Sequence, residues 1–164
     1  MNYLKRITLP VQLPAWWQDA LLAIPRIYCG FLLTSNFGAA KFGLPWSPVD
    51  NNLGLFEVAF WFPGDVKAYG AVFAIFPVFF AWMGAFSEAV GGLFLVLGFQ
   101  TRFFSFLIAC TMLVAVFVQQ FSSGMWNMLP GMGFLWVSLA GLAVGSGRFG
   151  IDYLISKKWK NEKS

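Results

Sequence analysis

A single carboxylate, Glu88, stands near the middle of the apolar run FSEAVGGLFLVLGFQTR (residues 86–102), and Arg102 stands where that run ends. At roughly 1.5 Å of rise per residue, Glu88 lies about 21 Å along a helix from Arg102, near the bilayer midplane if Arg102 sits at one headgroup layer. Even on lenient insertion scales an unpaired charge there costs about 2.5 to 3.5 kcal/mol, so pairing, protonation or a water-filled cavity must relieve it. Arg26 is the expected partner. It sits about seven residues into the first hydrophobic run, roughly 10 Å deep, and Glu88 enters from the same side about 6 to 10 Å deeper. Such a pair can clamp two helices. It can also serve chemistry, the base stabilising an oxygen that becomes anionic on reduction and the acid delivering a proton. Ionisable groups inside membranes mark ligand and proton paths often enough to favour the second use.

The elements that must position these groups are membrane helices. Counting by about 3.6 residues from Glu88 meets Ala81, Gly84, Gly91 or Gly92, Leu95 and Gly98 or Phe99, a face of small residues that should pack on protein rather than lipid. The chain is 59% hydrophobic, 20% aromatic and only 11% charged, against about 25% charged in soluble domains. An all-α integral membrane protein follows, a four-helix transmembrane bundle forming a single domain over residues 1–164. The spans are expected at about 19–42, 77–99, 103–120 and 131–145, followed by a short cytoplasmic tail, 146–164.

Between helices 1 and 2 the chain is broken by Pro45, Pro48, Asn51, Asn52, Pro63 and Gly64. Its apolar piece, residues 53–62, is too short to span and reads as an interfacial or re-entrant segment over the outer mouth, with Glu57 toward water. Pro77 marks a kink or the junction with helix 2 proper. Residues 122–130 read as an outer turn, and Gly141 and Gly145 have the spacing of a close-packing motif. The tail reads as a short amphipathic surface helix anchored by Trp159 and lysines.

The net charge of +4 does not point to nucleic acid, because Lys157, Lys158, Lys160 and Lys163 cluster beside a membrane helix. Lys5, Arg6, Arg102, Arg148 and those lysines fall on one side, while the long loop carries Asp50, Glu57, Asp65 and only Lys67. The positive-inside rule then puts both termini in the cytoplasm of a multi-pass protein of a bacterial inner membrane. No signal peptide is expected, since residues 1–17 hold two prolines and no apolar core. The absence of histidine excludes histidine-held haem, zinc, copper and non-haem iron in this chain. Cys29 and Cys110 lack CxxC spacing and read as ordinary thiols. Lys41 and Arg102, near opposite helix ends, can be explained by snorkelling.

With these residues in view, the chain resembles the DoxX family of small four-helix membrane proteins. Three patches carry the likeness: Gly38 with Lys41; Glu88, Gly91, Gly92, Leu95, Leu97, Gly98, Thr101 and Arg102; and Gly145, Gly147, Arg148, Gly150 and Asp152. Where family members often have a histidine just before the helix 1 glycine, this chain has Phe37. The resemblance implies a membrane subunit linked to quinone-dependent redox chemistry, with quinone as bound substrate and no haem, flavin or metal of its own. Electrons would come from another redox subunit or a small reductant. It carries over Glu88 and Arg26 as the reacting pair and Lys41, Arg102 and Asp152 as ligand-binding positions. Partners would be the lipid membrane and further redox subunits or copies of this chain. Two other classes compete. One is a non-catalytic anchoring subunit whose buried charges serve packing. The other, permeation, ranks last because helix 3 offers only Ser105 and Thr111, and helix 4 only Ser138, as polar lining.

Overall fold

A computed structural model describes residues 9–161; Lys5, Arg6 and Lys163 lie outside the described residues. It is an all-helical bundle in which four helices are long and apolar enough to cross a membrane. Helix α1 (Trp16–Leu32) continues as a π-helical turn, Leu33–Gly38. Two short helices, α2 (Phe62–Ala68) and α3 (Ala71–Ile75), precede α4 (Pro77–Leu97). Helix α5 (Thr101–Val114) also ends in a π-helical turn, Ala115–Gln119. Helices α6 (Met125–Val144) and α7 (Ile151–Asn161) complete the chain.

The pattern of burial follows helical spacing. In α1 the buried residues are Asp19, Ala23, Arg26 and Gly30, continued by Leu33, Thr34 and Gly38. Those steps of three and four residues draw one stripe down the helix. The opposite face exposes Leu21, Ile24, Tyr28 and Phe31, apolar side chains suited to acyl chains. On α4, Ala81, Ala85, Glu88, Gly92 and Leu95 form the matching stripe. The two helices run antiparallel and close together: a Cβ on Gly92 would lie 2.8 Å from Gly30 O and Thr34 N. Small residues permit that approach, and the Thr34 hydroxyl donates to Ala89 O at 2.7 Å.

Several boundaries shift from the sequence expectations. Pro77 is indeed a junction, sitting in the first turn of α4 after Phe76 leaves helical geometry. The expected interfacial or re-entrant segment, residues 53–62, runs as turns and irregular backbone until Phe62 opens α2. Part of that stretch folds back on the end of α1, with Phe42 bridging Val58 and Ala59 N–H donating to Lys41 O. Glu57 is exposed, as expected, and accepts from Gly54 N–H. Helix α6 begins at Met125 rather than after Pro130, because a proline this early removes only one backbone bond. Of the two glycines with packing-motif spacing, Gly141 packs on Ser105 of α5, whereas Gly145, at φ +78°, ends α6.

Candidate functional site

Glu88 is buried, and its partner is Lys41, not Arg26. Lys41 Nζ lies 2.6 Å from Glu88 Oε2, with side-chain exposures of 20% and 6%. The expected Arg26–Glu88 pair fails on register. Arg26 lies level with Leu95 and Val96, seven or more residues and hence about 10 Å along α4 from Glu88. The tight contact at Gly30 and Gly92 fills the space between. Lys41 reaches Glu88 from the other end: past the π-helical turn, Phe42 is wholly buried against Trp82 and Phe86. Lys41 lies in the turn just before it, its N–H donating to Gly38 O, and its side chain reaches the same helix, α4, at Glu88. Its ammonium also lies 5.0 Å from the centre of the Phe62 ring, an attractive cation–π arrangement. Snorkelling therefore does not describe Lys41.

Beside the pair is a cavity of about 280 Å³ between α2, α4 and α5. Phe62, Phe73, Phe80 and Met83 give it apolar walls, and Tyr69, Ser87 and Thr111 add hydroxyls. Ser87 Oγ and Thr111 Oγ1 are 2.6 Å apart. Burial first, then the negative charges of Asp65 and Glu88, push the Tyr69 phenol up to about 12. Cys110 lines the same cavity. Tyr69, Ser87 and Gln119 were missed from sequence; only Thr111 had stood out, as a rare polar residue of its helix.

The remaining site candidates lie at the opposite end of the bundle, which we call the tail end. Arg26 donates to Leu95 O, Val96 O and Phe149 O. Two of these belong to the last turn of α4, where carbonyls lack helical partners and a cation suits the helix dipole. Asp152 accepts from the N–H groups of Gln100 and Thr101, at 2.8 and 2.9 Å, at the start of α5. Gly98, at φ +63°, makes the turn between the two helices and accepts from Asp152 N–H. Arg26 and Asp152 thus bracket one turn, each satisfying the helix end that its charge suits. Arg102 donates to Ala143 O. Arg148 pairs with the buried Asp19 at 3.2 Å, a link that sequence reasoning missed. None of Arg26, Arg102 and Asp152 lines the cavity beside Glu88.

No curated protein and no solved structure gives a significant match. The family model for DoxX matches residues 21–121, a stretch that holds most of the first span, all of the second and third, Lys41, Glu88 and the whole cavity lining. The chain belongs to the DoxX family.

Proposed function

We propose that this protein is a small membrane subunit of quinone-linked redox chemistry, with the quinone ring in the cavity beside Lys41 and Glu88. The observation that carries this reading is the convergence of a buried ion pair and three hydroxyls on an aromatic-walled cavity. Pockets for small ligands have this character, and about 280 Å³ is close to the lower end of their usual size range. A quinone accepts two electrons and two protons to become a quinol. Lys41 stabilises negative charge on a carbonyl oxygen, and Glu88, released from Lys41, carries protons to it. Tyr69, Ser87 and Thr111 orient the ring through hydrogen bonds. Electrons come from a redox partner or a small reductant. The tail end, rich in Lys and Arg, faces the cytoplasm of a bacterial inner membrane.

Cys110 provides the test, in a Cys29→Ser background. A short-chain quinone is expected to slow alkylation of Cys110 by a membrane-permeant maleimide. Protection weakens in Glu88→Gln and Lys41→Met and disappears in Gly84→Leu, which fills the cavity. Equal alkylation with and without saturating quinone would remove the reading. The commitment of Arg26, Asp152, Asp19 and Arg148 to packing favours a second reading, an anchoring subunit of a larger complex. That reading gains if a complex isolated in mild detergent keeps full activity with Glu88→Gln.

A further inference from the structure

The Lys41–Glu88 pair has a second cavity on its other side, about 410 Å³, between the π-helical ends of α1 and α5 and the start of α6. Lys41, Glu88, Ala115 and Gln119 line both cavities. The ion pair and one face of the α5 π turn are therefore the partition between two compartments. Widened helical turns of this kind often occur at functional sites, and here both α1 and α5 widen beside the pair.

The compartments differ in chemistry. The first is walled mainly by aromatic rings, whereas the second adds to the shared Gln119 the amides of Gln120 and Asn127 and the indole of Trp126. Gln119 and Asn127 are exposed at the end of the bundle opposite the tail. Polar cavities that offer several hydrogen-bonding partners hold water. The groups that can titrate or carry charge near Glu88 are Lys41 beyond α1, Tyr69 beyond α2 and Cys110 on α5. Helix α6 contributes no charged residue.

We infer that the second cavity is a hydrated vestibule through which Glu88 exchanges protons with the aqueous phase at the loop end. Glu88 touches both compartments, so a proton taken up from the vestibule is available on the ligand side without passing through lipid. Lys41 has three N–H donors and can hold Glu88 while turning another toward either side. The inference rests on the reading of Glu88 as the proton-carrying group of the ligand cavity. Its test uses no quinone, so the two can fail separately.

Carbodiimides modify the protonated carboxyl, so labelling reports access to it. The full chain in lipid vesicles is treated either with a water-soluble carbodiimide or with membrane-partitioning dicyclohexylcarbodiimide, and Glu88 is read by mass spectrometry. Both reagents are expected to label it, the first more rapidly as pH falls. Asn127→Phe or Gln120→Phe, which narrows the vestibule, should cut water-soluble labelling several-fold and spare the other reagent. Gly84→Leu should do the reverse: a Cβ there meets nothing nearer than 3.8 Å, so the larger side chain occupies the first cavity. The inference is overturned if the water-soluble reagent labels Glu88 only in denatured protein. Equal labelling in all variants, or loss only in Gly84→Leu, overturns it as well.

Discussion

Lys41 lies beyond the last turn of the helix that carries Arg26, yet Lys41 is the residue whose side chain meets Glu88, at 2.6 Å. The two basic residues, one within the first span and one just past it, serve opposite ends of the bundle. Lys41 neutralises an acid near half-depth, and Arg26 closes the carbonyl end of α4.

Removing one member of a buried pair leaves the other uncompensated, at about 3 kcal/mol. Lys41→Met and Glu88→Gln should each destabilise the protein by about that much, and the double variant should recover most of the loss. Arg26→Met should also destabilise, but additively with Glu88→Gln. Chemical unfolding of the three single and two double variants in nanodiscs measures both coupling energies, and strong coupling between Arg26 and Glu88 would contradict the register described above.

Asp152→Ala exposes the opposite end of the capping arrangement. Two N–H groups at the start of α5 lose their acceptor, a loss of about 1 to 3 kcal/mol. Hydrogen exchange of the amides at residues 100 and 101 should accelerate, while protection of Cys110 by quinone stays intact. Loss of that protection with unchanged exchange would restore Asp152 as a ligand-binding residue.

Tyr69 predicts a pH dependence on the alkaline side. Its phenol is pushed from 10.0 up to about 12, so between those values the folded chain holds a proton that the unfolded chain has released. The folded state then binds more protons, and stability falls as pH rises through that window. Tyr69→Phe should flatten this part of the stability curve and remove the tyrosinate absorbance step at about 12. An unchanged absorbance titration would show that Tyr69 is solvated.

The four spans were legible in the sequence because length and hydropathy alone define them, and the small-residue face of α4 was legible because glycine and alanine recur at helical spacing. Glu88 was legible as a buried acid for the same reason. Its partner was not. Depth arithmetic assumes straight helices measured from their ends, and it could not see that Gly30 and Gly92 bring the helices together between Arg26 and Glu88. Nor does any residue type announce the π-helical turn after Leu32 or the fold-back of residues 53–59, which together aim Lys41 inward. In the exit motif around Gly147, Arg148 and Asp152, only Asp152 reads as ligand-binding, on the family resemblance. Its glycines make turns and its charges bind helix ends and Asp19, a role visible only once α5 and α7 are placed side by side.

Lys41 accepts a backbone hydrogen bond from Ala59 through its carbonyl while its ammonium rests over Phe62. The loop is thereby fastened, where it returns toward α2, to the cation that meets Glu88. A displacement of residues 59–62 would therefore be felt first at the Lys41 ammonium and through it at Glu88, before any span had to slide.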